Sequence, residues 1–439
     1  MKKLLFLFWY FFATALGSSA QPFDPVLASK LQDAIDSIRT SNNIKGISAC
    51  VIYPGIGTWK GVSGVSHFGT PINSNMEFGI ASNTKLFTGV LMLKLAENGL
   101  LSLEDSLHEH LPTFNNIDSN ITIRQLLNHT SGVDDVTSVP GYPDSILNDP
   151  NRIYTAAELI TWAGPPLFAP GTDWNYCNTN YLLAGMIAES VTGQAYGQLL
   201  RDSILTPLQL DSTFLDVYDS VLFAAAHPWQ NGFNNNSIPR KSLNSAAWAA
   251  GAMYSTSGEM AQWYDALMNG QVLIPSSFQE LTTFVGSGNY SMGIAETSVI
   301  NRTVWCHGGS IWGGYSSNMM YDTTTGIIIC VLTNQLPAPA FQTSVQLLST
   351  IINNPVGINE AEIENQSFEV YPNPTSDLIT INDPLGIIEE VQIIHPNGKM
   401  VMSSKVPVIS IAALPDGIYF LIVNTANGVT VQKVVKSQP

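Results

Sequence analysis

The sequence predicts an α+β domain in which a sheet drawn from distant parts of the chain surrounds a helical insertion, followed by a separate small all-β sandwich. Three observations carry this. Strand-like runs lie near residues 46–66 and again at 300–333, with helical runs between them. The run Leu86 to Asn98 is apolar nearly all round, which marks a buried central helix rather than a surface one. Beyond residue 366 the pattern changes to short alternating segments with turns about every ten residues, the habit of an immunoglobulin-like sandwich.

Taken in order, the first twenty residues read as a signal peptide. Lys2 and Lys3 form its basic start, Leu4 to Leu16 its apolar core, and Ser18-Ser19-Ala20 its small-residue cleavage site. No later stretch is long and apolar enough for a transmembrane helix. Pro25 to Thr40 has the apolar spacing of an amphipathic helix. Residues 46–53 and 58–66 read as two strands joined at Pro54-Gly55. The Leu86 helix follows and Gly99 stops it. A short helix is predicted over Ile121 to His129, a loop over 133–155, a short helix over Ala156 to Ala163 and a longer one over Tyr181 to Val191. Residues 194–213 give a further helix and turn. The Asn-, Pro- and Ser-rich residues 228–245 read as a long loop. Ser255 to Glu259 is a capped helix start, with the helix running over Met260 to Met268. Three strands then span 303–307, 316–321 and 326–333, and a closing helix spans Thr343 to Ile352. The predicted segments are a signal peptide (1–20), a main domain (21–353), a linker (354–366) and a C-terminal sandwich (367–439).

Composition limits the function. Hydrophobic residues make up 45% and charged residues 12%, so the bulk of the chain is globular. A formal net charge of −16 excludes nucleic-acid binding as a main role, because phosphate recognition needs a basic surface. Four cysteines are too few for a disulfide scaffold. Cys50 and Cys330 are either neighbours in a sheet or buried free thiols. Cys177 and Cys306 flank candidate site residues and point away from them by parity. His108-Glu109-His110 lacks any downstream cluster that would complete a metal site, and no metal or cofactor is expected.

The chemistry concentrates in three stretches. Ser82 and Lys85, three residues apart at a helix start, share one face, which puts a hydroxyl beside an amine. Of the chain's lysines only Lys85 has a serine three residues before it. Tyr176-Cys177-Asn178 would turn a phenol and an amide the same way in extended backbone, although Asn178 also suits a plain helix cap. His307-Gly308-Gly309-Ser310 closes a strand with two glycines, so a substrate backbone can approach. No Gly-x-Ser-x-Gly elbow exists, so the α/β-hydrolase reading loses its main feature.

The order Ser-x-x-Lys, Tyr-x-Asn, His-x-Gly resembles the serine β-lactamase-like superfamily, nearest to class C β-lactamases, D-alanyl-D-alanine carboxypeptidases and related esterases. The flanking runs Phe78 to Lys85, Ile123 to Gly132, Pro170-Gly171-Thr172 and Gly313-Gly314-Tyr315 are similar as well. The resemblance covers about residues 25–353 and implies an antiparallel sheet flanked by helices. It implies a secreted serine hydrolase acting through an acyl-enzyme on Ser82, on the amide or ester bond of a peptide, β-lactam or small ester. Lys85 and Tyr176 would share base and acid work. Asn178 would bind a substrate amide or steady Lys85. His307 would polarise Tyr176 or meet a substrate carboxylate. The N–H groups of Ser82 and Ser310 would form the oxyanion hole beside Gly308 and Gly309. The sequence departs from the family pattern at Gly308, where a hydroxyl residue is usual; this weakens the case for penicillins and D-Ala-D-Ala ends. A rival class, a non-catalytic surface binding protein retaining the fold, predicts no turnover and retained binding without Ser82.

Tyr371-Pro372-Asn373-Pro374-Thr375, Leu414 to Tyr419 and a lysine-bearing last strand resemble the type IX secretion C-terminal sorting domain of Bacteroidota. That resemblance implies the secretion machinery as a partner, and a secreted or outer-membrane surface location.

Overall fold

The computed structural model describes residues 23–219, 225–356, 368–383, 386–395, 400–425 and 428–437. The signal-peptide reading and most of the linker reading lie outside these residues. The chain divides into two compact units, Met1–Pro355 and Val356–Pro439.

The first unit is built on a seven-stranded antiparallel sheet. Its strands are β1 (Gly46–Tyr53), β2 (Gly57–His67), β3 (Thr70–Pro71), β4 (Ala295–Val299), β5 (Arg302–Ile311), β6 (Tyr315–Asp322) and β7 (Ile328–Thr333). Their order across the sheet is β3-β2-β1-β7-β6-β5-β4. The two ends of the unit therefore meet at the β1–β7 seam, where Cys50 stands opposite Cys330. All four cysteines are free and buried.

β7 is buried along its whole length and β1 over its first six residues, so helices must cover both faces of the sheet. α1 (Pro25–Ser41) packs on β2 and on the closing helix α6 (Ala340–Asn353), while α5 (Ser257–Met268) packs on β1, β6 and β7. α1 starts where the Asp24 carboxylate accepts from the Leu27 N–H, with Pro25 at the first helical position. The Thr256 hydroxyl caps α5 by accepting from the Glu259 N–H.

Between the two halves of the sheet lies the helical insertion. Its centre is α2 (Thr84–Glu97), buried on nearly every side as its composition demands. Gly99 follows in the left-handed region with φ 69°. α3 (Asn178–Thr192) and α4 (Lys241–Gly251) both pack on α2. Three readings need correction. The predicted loop at 133–155 contains a helix over Tyr142–Asn148. α3 starts at Asn178, three residues earlier than the apolar run suggested. The predicted loop at 228–245 contains the start of α4. Its polar residues misled the reading, because Ser242, Asn244 and Ser245 are buried inside the insertion rather than exposed, the last two with hydrogen-bonded side chains.

The second unit has two sheets. Val370–Tyr371, Leu378–Ile381 and Val408–Ser410 form one of three strands; Ile388–Ile394, Met400–Ser404, Gly417–Thr425 and Gly428–Lys436 form one of four. Alternate residues such as Ile379, Ile381, Val391, Ile393, Leu421 and Val423 meet in its core.

Candidate active site

Ser82 sits on a single 3-10 turn, Ala81–Asn83, that feeds α2. The residue before it, Ala81, has φ 50°, a backbone setting that a non-glycine residue adopts only when its surroundings enforce it. Here they do. The Ile80 N–H donates to the Met253 carbonyl, and the Ile80 carbonyl accepts from the Ser317 hydroxyl at 2.7 Å. Ser317 in turn accepts from Asn83 Nδ2 at 2.7 Å. A residue of the central sheet thus fixes the turn that carries the serine.

Lys85 is fully buried, with its Nζ 3.1 Å from Ser82 Oγ, 2.7 Å from Asn178 Oδ1 and 2.7 Å from the Ala250 carbonyl. Burial penalises the ammonium and lowers its pKa to about 7; Asp135 nearby pulls the other way. A neutral amine has two N–H donors and one lone pair. Two of its three neighbours, the Asn178 oxygen and the Ala250 carbonyl, only accept. Donating to those two leaves the lone pair for the proton of Ser82.

Cys177 is extended and Asn178 opens α3. Asn178 is not the helix cap; Cys177 holds that position. The amide is spent on the site: Oδ1 accepts from Lys85, and Nδ2 donates to Asp135 Oδ2 at 3.0 Å and Thr137 Oγ1 at 3.1 Å. The Tyr176 ring stands 4.9 Å from Lys85 Nζ, on the same side of the site as Ser82. Burial raises the Tyr176 phenol above its ordinary range. His129, from the run Ile123 to Gly132, explains that run's place beside the site. Its Nδ1 accepts from the Cys177 N–H at 3.2 Å and its ring lies 4.5 Å from that of Tyr176.

His307 lies within β5, not at its end. Its Nδ1 donates to the Gly308 carbonyl at 2.6 Å, so its Nε2 accepts from the Tyr290 hydroxyl at 3.0 Å. Burial and the nearby Lys85 lower its pKa to about 3, so the ring is neutral at physiological pH. Both nitrogens are engaged away from the Tyr176 hydroxyl, and the ring centroids are 6.2 Å apart. Gly308 and Ser310 are exposed while Gly309 is buried, the alternation of a strand with one face open. A side chain at Gly309 would collide with the Ile80 carbonyl, so glycine is required there for β5 to lie against the Ser82 turn. A side chain at Gly308 would meet only the Ser317 carbonyl, at 3.9 Å; the missing hydroxyl leaves open space.

Ser82, Asn178 and Ser310 line one cleft of about 200 Å³. Its remaining walls are mainly apolar, with Tyr142, Leu182, Leu243, Ile311 and Trp312 the bulkiest, and none of its lining residues is charged. Three contributors were not evident from the sequence: the Ala250 carbonyl, Asp135 and Ser317. A backbone carbonyl leaves no mark in the sequence, and Asp135 lay in a polar run indistinguishable from a loop. Among the described residues no group of three or more His, Cys, Asp or Glu is placed to hold a metal ion.

Comparison with known proteins identifies the family and the fold. Residues 31–348 match the Beta-lactamase family, and residues 369–437 match the secretion system C-terminal sorting domain. Protein flp of Staphylococcus aureus (strain MW2) is 32% identical over 308 residues, 66% of this chain and 59% of the relative, so the chain spans well under the whole of that protein. Penicillin-binding protein 4 of Amycolatopsis lactamdurans is 26% identical over 368 residues, 78% of this chain and 93% of the relative. The crystal structure of a D-stereospecific amidohydrolase from Streptomyces sp. superposes with TM-score 0.65 at 29% identity, covering 73% of this chain and 97% of that one. The chain belongs to the Beta-lactamase family of serine hydrolases and ends in a secretion-system sorting domain.

Proposed function

We propose that the protein is an exported hydrolase that forms an acyl-enzyme on Ser82 and cleaves amide or ester bonds of small acyl substrates that carry no carboxylate beside the scissile bond. The observation that carries the reading is Lys85 Nζ, held between Ser82 Oγ, Asn178 Oδ1 and the Ala250 carbonyl with its pKa lowered to about 7. In the first half-reaction Ser82 Oγ bonds to the substrate carbonyl carbon as its proton passes to Lys85. The N–H groups of Ser82 and Ser310 receive the oxyanion. The C–N or C–O bond then breaks, Tyr176 protonates the leaving atom, and Lys85 returns a proton to Tyr176. In the second half a water attacks the ester, its proton is taken by the same pair, and Ser82 leaves with one.

The substrate class follows from the cleft. A free carboxylate beside the scissile bond needs a cation or a hydroxyl to hold it. The cleft walls carry no charge, His307 is neutral and Gly308 supplies no hydroxyl. These features favour amino-acid amides, peptide N-terminal units and esters with an apolar side chain over carboxypeptidase substrates. The similarity to a D-stereospecific amidohydrolase supports the same choice. A panel of nitrocefin, a D-Ala-D-Ala peptide, D- and L-phenylalanine amides and short p-nitrophenyl esters tests it. Turnover of an amide or ester with kcat/KM at least tenfold above the other two is expected; preference for the D-Ala-D-Ala peptide would refute the assignment.

A further inference from the structure

α4 carries the most strained bulky residue near the site. Trp248, inside the helix, has φ 32° and ψ −120°, a setting outside the regions open to a large side chain. Such strain persists only where the surroundings over-determine it, and it often marks function. The helix direction breaks at Trp248, so the last turn, ending at Gly251, takes its own course. That turn ends with carbonyls that have no partner within the helix. Two of them meet α2: the Ala249 carbonyl accepts from the Thr88 hydroxyl at 2.7 Å, and the Ala250 carbonyl accepts from Lys85 Nζ at 2.7 Å.

The indole is keyed into place. A methyl group on Gly185 of α3 would lie 2.8 Å from both the Trp248 ring and the Ala249 side chain, so the tryptophan rests on bare backbone. Tyr196 meets the indole edge-on at 5.2 Å, and its hydroxyl is 2.7 Å from Thr88 Oγ1. One packing unit therefore ties the helix bearing Asn178, the helix bearing Lys85 and the carbonyl between them.

We propose that Trp248, seated on Gly185 and Tyr196, is a positioning residue that aims the Ala250 carbonyl at Lys85 and so turns the lysine lone pair toward Ser82. Without that acceptor the amine is held by Asn178 alone and can rotate its lone pair away from the serine proton. The C-terminal end of α4 also favours the ammonium, so losing it lowers the pKa of Lys85. The other groups facing Lys85 stay in place: Tyr176, Cys177 and Tyr181 on and before α3, Asp135 beyond Asn178, and the neutral rings of His129 and His307.

The proposal rests on the hydrolase reading above, and its test separates the two. The rate at which a fluorophosphonate phosphonylates Ser82 of the full chain, with loss of fluoride, is measured from pH 5 to 9 for wild type, Gly185→Ala, Trp248→Ala and Trp248→Phe, with active sites titrated. Gly185→Ala and Trp248→Ala are expected to lose at least about tenfold in plateau rate per active site. Their acidic limb should move down by about 0.5 pH unit. Trp248→Phe, which keeps a ring over Gly185, should recover at least half of the loss. Folded variants with wild-type rate per active site, or with fewer active sites and an unmoved limb, would overturn the proposal. Misfolding of both Gly185→Ala and Trp248→Ala would also count against it, since the seat would then serve stability alone. A wild-type chain that takes no label at Ser82 sinks the hydrolase reading instead.

Discussion

At the scale of single residues, the proposed chemistry of Ser82 turns on Lys85. A lysine at its ordinary pKa would be almost wholly protonated at neutral pH and unable to accept a proton. Burial lowers it to about 7, so half is neutral near pH 7. Because only the neutral form is the base, acylation should rise with pH to a plateau, with its midpoint near pH 7. Asp135 reaches Lys85 through Asn178, and its charge favours the ammonium. Asp135→Asn should therefore shift the midpoint to lower pH. A pH–rate profile checks both; a midpoint near 10, or an upward shift in the variant, would contradict the assignment. Ser82, Lys85, Tyr176 and Asn178 were legible in the sequence because their spacing repeats a chemical pattern. The structure brings all four together. His307 lies within β5 rather than at its end, and its engagement with Tyr290 and its own neighbour's carbonyl was not readable, since Tyr290 has no fixed spacing to the motif.

At the scale of elements, α2 shows how packing overrides propensity. Gly89 lies in its middle, where alanine would favour the helix by about 1 kcal/mol. A methyl group there would press into the Met292 backbone carbonyl, and Gly293, at φ 102°, lies equally close to the Lys85–Leu86 backbone. Overpacking of this kind costs about 1–3 kcal/mol. Because the obstacle is backbone and not a flexible side chain, the steric cost should win. Gly89→Ala is expected to lower the stability of the first unit, read as an earlier denaturation midpoint; an unchanged or later midpoint would contradict this packing. Strongly periodic elements such as α1, β1 and β2 were read nearly to the residue. α4 was not, because three of its eleven residues, Ser242, Asn244 and Ser245, are polar yet buried by other parts of the chain. β4 was missed because it is short and only partly buried, and its alternation is weak.

At the scale of the whole molecule, every candidate site residue lies within the first unit. Deleting residues 367–439 should leave kcat/KM of the purified protein within about twofold, because each unit has its own core. In a host with the type IX machinery the same deletion should hold the protein in the periplasm. Surface delivery of the truncated chain would refute the sorting role, and loss of activity in vitro would refute the independence of the site.

The central claim is that Ser82, activated by Lys85, becomes acylated. The most direct measurement is peptide-level mass spectrometry after incubation with a fluorophosphonate and, separately, a fluorescent penicillin. One adduct on Ser82 from the fluorophosphonate is expected, formed more slowly below pH 7 and absent in Ser82→Ala and Lys85→Met. Absence of any Ser82 adduct from either reagent, with the label elsewhere or nowhere, would contradict the account.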